Sequence, residues 1–206
     1  MTIKEAHVLV DRYAENKLIM GQPYNYGHIQ NAANIAYKIA KLCGMDGNKA
    51  YVYALLHDIG RFEICDSKGE LDFSDKHRHP IVGYKILISL GLTDEANICI
   101  THAFLGKINK YRELYEEEEN LIVDKILSQP FDDYDLLIQL ADEMSVVAGY
   151  SALETRFARK IMEDGFREEY LEELNQLCKI KDYFDNKMNG NVYELVLNIP
   201  NNIRLL

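Results

Sequence analysis

Between residues 26 and 43, Ile29, Ala32, Ala33, Ala36, Ile39, Ala40 and Cys43 fall on one stripe at helical spacing, and Gly44 follows as a stop. This period recurs along the chain. With only four prolines in 206 residues, it predicts an all-α helical bundle. We expect further helices at 4–18, 48–60, from about Pro80 to Leu90, at 94–105, 120–128 and 132–148, and over 154–188 with a break near Gly165. Segment 48–60 is apolar nearly all round (Val52, Ala54, Leu55, Leu56, Ile59), so it is expected to be central. Segment 63–78 reads as a polar loop. Asp132, Asp133 and Asp135 suit the positive end of a helix. The tail 189–206 alternates Tyr193, Leu195, Leu197 and Ile199 after an Asn-Gly pair. It is expected to form an edge strand, a candidate surface for homodimer pairing.

The length implies one domain, with a core at about 26–150 and an extension at 151–206. Lys plus Arg is 23 and Asp plus Glu is 33, a net charge of −10. That argues against general binding to nucleic acid or to an anionic membrane. It leaves open an anionic small molecule held by a local positive site. No apolar run approaches 20 residues, and the N-terminus lacks a signal-peptide core. The four cysteines (43, 65, 99, 178) have no metal-ligand or redox spacing. A cytoplasmic protein with free thiols is the expectation.

Five of the six histidines lie between residues 28 and 102. The sharpest feature is His57-Asp58, ending the most apolar helix in ALLHDIGRF. An ionised Asp there is costly unless paired or bound to a metal. Imidazole with carboxylate suits a divalent metal such as Mn, Fe, Co, Ni or Zn. The anomaly recurs. His28 opens an apolar helix, His102 lies in ANICITHAFLG, Asp142 lies in DLLIQLADEMSVVAG, and His79 precedes Pro80. Singly, each reads as a satisfied core group or a cap. Jointly they argue for a site, since each unpaired buried polar group costs about 1–3 kcal/mol.

These residues resemble the HD-domain metal-dependent phosphohydrolases. The pattern is a His, a His-Asp pair and a distant Asp on helices: His28, His57, Asp58 and Asp142. A six-ligand subset adds two His in between, here His79 in HPIVG and His102 in ITHAFLG. The resemblance spans about 26–150. It implies an all-helical fold holding one or two divalent ions (Mn, Fe, Co, Ni, Zn or Mg) between central helices. It also implies that Asp58 bridges two sites, with His28, His57 and Asp142 completing one and His79 and His102 the other. There is no GYP motif, which argues against cyclic-di-GMP cleavage, and 151–206 has no counterpart.

A metal brings the pKa of water toward 7 and neutralises phosphate charge. Cations are then expected nearby. Arg61 is three residues after Asp58, on the same helix face, with a surface salt bridge as its bland reading. Arg78 and Lys107 are weaker candidates. Glu143 is expected to point away from Asp142. His77 is a loop residue, a substrate contact or a competitor of His79. His7 reads as a surface residue, and Glu116–Glu119 as a solvated acidic turn. The leading expectation is a phosphohydrolase acting on a small phosphorylated substrate, most readily a nucleotide. A dinucleoside polyphosphate hydrolase is one subtype, because similar stand-alone proteins include that activity. The alternatives are an HD-fold di-iron oxygenase and a nucleotide-binding sensor domain.

Overall fold

In the computed structural model, the described residues are 1–15, 18, 19, 22, 23, 26–64, 76–103 and 109–197. They are predominantly helical. Helix α1 (Ile3–Ala14) starts at a capping box in which Thr2 and Glu5 exchange hydrogen bonds. Strands β1 (Leu18–Ile19) and β2 (Gln22–Pro23) form a minimal antiparallel pair. Helix α2 (Tyr26–Leu42) is largely enclosed, with Ile29, Ala32, Ile35, Ala36 and Ile39 wholly buried. It packs on α3 (Gly47–Leu56) and on α8 (Asp133–Glu143). The Asp46 carboxylate accepts hydrogen bonds from the Asn48 and Lys49 amides at the head of α3.

Beyond α3 come the short α4 (Gly60–Ile64), a 3-10 turn (Lys76–Arg78), α5 (His79–Ser89) and α6 (Thr93–Thr101). Helix α7 (Glu117–Leu127) meets α5 and α6 around a smaller apolar cluster of Ile81, Ile100, Tyr115 and Val123. After α8 the chain makes a tight hairpin, β3 (Ser145–Val146) against β4 (Gly149–Tyr150). Helices α9 (Leu153–Asp164) and α10 (Glu168–Met188) follow, then α11 (Val192–Leu197). Gly165, at φ 81°, makes the expected break.

The structure departs from the periodicity in several places, among them segment 48–60, which divides into α3 and the start of α4. Residues 145–148 turn back as a hairpin instead of extending α8. The first helix ends at Ala14. The tail is a helix over 192–197, not an edge strand. Asn191 is the cause, since its side chain accepts hydrogen bonds from the Tyr193 and Glu194 amides. Val192 and Val196, four residues apart, then share the buried face. Ile199, Lys107 and most of the expected 63–78 loop lie outside the described residues. No helix among the described residues is long and apolar enough to cross a membrane.

Candidate metal centre

The centre is built at helix ends, where backbone carbonyls are free to fix side chains. Helix α3 stops at Leu56, and His57 follows as its wholly buried C-cap. The His57 Nδ1–H donates to the Ala54 carbonyl at 2.6 Å. His102, the C-cap of α6, donates from Nδ1 to the Ile98 carbonyl at 3.1 Å. His28, on the first turn of α2, donates from Nδ1 to the Ser145 carbonyl at 3.1 Å. A carbonyl cannot donate, so each bond assigns the proton to Nδ1 and turns Nε2 inward.

Those Nε2 atoms converge on two carboxylates. From Asp142 Oδ1, the His28 Nε2 lies at 2.8 Å and the His57 Nε2 at 3.4 Å. Asp58 Oδ2 is 3.8 Å from His28 Nε2 and 3.7 Å from His57 Nε2. Its other oxygen, Oδ1, faces His79 Nε2 at 3.2 Å and His102 Nε2 at 3.6 Å. Two triplets, His28-His57-Asp142 and His57-Asp58-His102, each place their ligand atoms within 4.8 Å of one another. His57 Nε2 is buried and makes no hydrogen bond. A buried lone pair aimed at carboxylate oxygens is an acceptor facing acceptors. A cation between them resolves the conflict, so the donor set fits a divalent metal.

The local field is strongly perturbed. Burial pushes the Asp58 carboxyl up, but Arg61 and then His57, His79 and His102 outweigh it and hold it well below the usual range. For Asp142, burial is likewise outweighed by the adjacent His28 and His57, which hold it well below the usual range. Burial lowers His102 to about 4, so its ring is neutral at pH 7.

Six of the expected residues therefore meet: His28, His57, Asp58, His79, His102 and Asp142. Arg61 joins them, with Nε 2.5 Å from Asp58 Oδ2 and Nη2 3.5 Å from His79 Nε2. Other readings need correction. Arg78 is turned onto α7, where its Nη2 donates to the Glu119 carboxylate at 2.9 and 3.1 Å. Lys85 joins it at 2.6 Å, so Glu119 is a buried ion-pair anchor within the acidic run rather than a solvated residue. His7 is buried, with its nitrogens 3.3 and 3.0 Å from the Tyr26 and Tyr51 hydroxyls. His77 stacks on Tyr111, ring centroids 3.5 Å apart.

His28, Asp58, Arg61, His79, His102 and Asp142 line a cleft of about 550 Å³, with the His77–Tyr111 stack on its wall. Its far wall comes from α9 and α10, the helical stretch with no counterpart in the HD-domain pattern. There Lys160 reaches the buried Glu143 at 2.7 Å and Glu173 at 3.5 Å, and Arg156 lies 3.7 Å from Glu143. Glu143 does point away from Asp142, but into this ionic network. The hairpin carbonyl of Ser145 is the functional group that sequence reasoning missed, since a backbone oxygen leaves no residue-type signal.

No curated protein and no solved structure matches the chain. The family description "HD domain" matches residues 25–147, more than half of the sequence. HD domains bind divalent metals, and the family consists generally of phosphohydrolases. The matched span contains each of the six converging His and Asp residues, and the chain belongs to the HD-domain family of metal-dependent hydrolases.

Proposed function

We propose that this chain is a phosphohydrolase that cleaves a small phosphate ester or anhydride, with a nucleotide as the favoured substrate class. His28, His57, Asp58 and Asp142 would hold one divalent ion, and Asp58, His79 and His102 a second. The observation that carries this reading is the division of labour at Asp58, whose two oxygens face different histidine sets. A metal held there would supply hydroxide at neutral pH and neutralise phosphoryl charge.

The chain's own part is orientation and charge. Backbone carbonyls keep the Nε2 lone pairs of His28, His57 and His102 free. Arg61 is a bidentate donor at the ligand edge, suited to two phosphate oxygens, and reaches them by releasing Asp58. The cleft has the size of a small-molecule site. The His77–Tyr111 stack along its wall supports a planar base as the rest of the substrate.

The test is metal content by mass spectrometry after Mn or Fe loading, then phosphate release from a nucleotide panel with and without O2. We expect about two ions per chain and O2-independent release. Asp58→Ala should lose both ions. O2 uptake without phosphate release, or a wild type that binds no metal, overturns the reading.

A further inference from the structure

We infer that Asn31 is a positioning residue for the metal centre, acting on His28 through the β3–β4 hairpin. The inference rests on the metal reading above. The His28 ring is set by the Ser145 carbonyl, its hydrogen-bond partner at Nδ1. That carbonyl belongs to a hairpin with two residues per strand. A hairpin this small has no stability of its own, so something else must hold it.

Asn31 does. It lies three residues after His28 on α2, hence on the same face, and it is wholly buried. Its amide nitrogen donates to the Val146 carbonyl at 2.8 Å and to the Gly149 carbonyl at 3.2 Å, one on each strand. One side chain thus uses both N–H groups to clamp both strands. Gly27 permits the approach, since a Cβ there would lie 2.4 Å from the Val147 carbonyl oxygen. On the other side, the Ser145 hydroxyl donates to the Ala141 carbonyl at 2.6 Å, tying the hairpin to α8, which carries Asp142. The first turn of α2 and the end of α8 are therefore registered by one small unit. Metal ligation tolerates errors of about 0.2 Å, so a hairpin released from Asn31 carries His28 out of register.

An apolar residue of similar size would fill the space but leave the buried Gly149 carbonyl and the part-buried Val146 carbonyl without these donors. Asp has the shape of Asn and would set a carboxylate against the same oxygens. Asn31→Ala and Asn31→Asp are thus two routes to the same loss.

The test is a double-mutant cycle read by Zn(II) affinity, measured by competition with a fluorescent chelator. Far-UV circular dichroism and thermal unfolding of the metal-free protein confirm the fold. In the otherwise wild-type chain, Asn31→Ala should weaken Zn(II) binding about 10–100-fold. With His28→Ala already present, the same change should cost less than about twofold, because the ring it orients is gone. If Asn31→Ala does not fold, Asn31→Asp carries the same cycle. Equal losses in both backgrounds mean a general structural role and overturn the inference. Unaltered affinity in the first background also overturns it. A wild type that binds no Zn(II) removes the metal reading, and this inference with it. A wild type that binds Zn(II) while Asn31→Ala is silent removes this inference alone.

Discussion

Replacing Gly60 by alanine probes the half of the centre that contains His79. Gly60 opens α4, two residues after Asp58, and lies flat against α5. A methyl group there would sit 2.2 Å from the His79 carbonyl oxygen and 2.5 Å from the Gly83 nitrogen. Ordinary contact begins near 3.4 Å, a shortfall of about 1.2 Å. Both obstacles are backbone, so no side chain can swing aside and α5 itself must move. His79 Nε2 lies 3.2 Å from Asp58 Oδ1, and half of that displacement exceeds the roughly 0.2 Å that a ligand set tolerates. His28 and Asp142 sit on α2 and α8, neither of which carries the His79 and Gly83 atoms the methyl group would meet first. Overpacking costs about 1–3 kcal/mol. For a chain of this length each kcal/mol lowers Tm by about 2–4 °C, so the metal-free variant should melt about 2–12 °C lower. The assay is metal stoichiometry after dialysis, beside calorimetry of the metal-free protein. A folded variant holding about one ion is expected. Two ions at wild-type affinity would refute the claim that this contact places His79, and loss of both would refute the separability of the two sites.

Two further outcomes follow from the ion pairs. Arg61→Ala should reduce kcat/KM on the best phosphate substrate by about tenfold to a thousandfold, or roughly 1.4–4 kcal/mol. Metal affinity should stay level or rise, because Arg61 competes for Asp58 Oδ2, and unchanged steady-state kinetics would remove Arg61 from the site. Glu119→Gln should destabilise the fold by about 1–3 kcal/mol at pH 7, measured by urea unfolding. Burial raises the Glu119 pKa, but the Lys85 hydrogen bond, the Glu116 amide and the Arg78 charge lower it further, to a net position below 4.5. A carboxylate depressed on folding stabilises above its unfolded pKa, and that contribution is lost as pH falls through the folded value. The wild-type advantage over Glu119→Gln should therefore shrink below about pH 4.5, and a pH-independent difference would contradict the ion-pair account.

What the sequence made legible was whatever a side chain announces through its own chemistry and period. The stripe Ile29–Cys43 announced α2, and buried polar groups on apolar helices announced all six converging residues. What it left unread depends on backbone or on distance along the chain. The Ser145 carbonyl has no letter of its own. Asn31 looks like an ordinary interruption of an apolar face until the hairpin it clamps is present, 115 residues away. Glu119 reads as solvated because its neighbours are acidic, and only the arrival of Arg78 and Lys85 from α5 and the turn before it reverses that. The tail failed for a different reason. Alternation at Tyr193, Leu195 and Leu197 fits a strand, yet Val192 and Val196 fit a helix equally well. Over six residues the two periods overlap, and the Asn191 cap decided between them.

The same reasoning shows why the extension matters to the centre, although none of the six converging residues lies in it. Asp142 is the next-to-last residue of α8, where a helix frays unless its end is held. Glu143 is the last, and its buried carboxylate is held by Lys160 of α9, which also reaches Glu173 of α10. On the opposite side of the same turn, the Ser145 hydroxyl is bonded back to Ala141. Asp142 is thus fixed from one side by an ionic network with α9 and α10, and from the other by the Ser145 hydroxyl bonded back to Ala141. The cleft wall and the placement of the last carboxylate are one structural unit, which gives α9 and α10 a physical reason to pack beside a centre whose converging His and Asp residues all lie before residue 143.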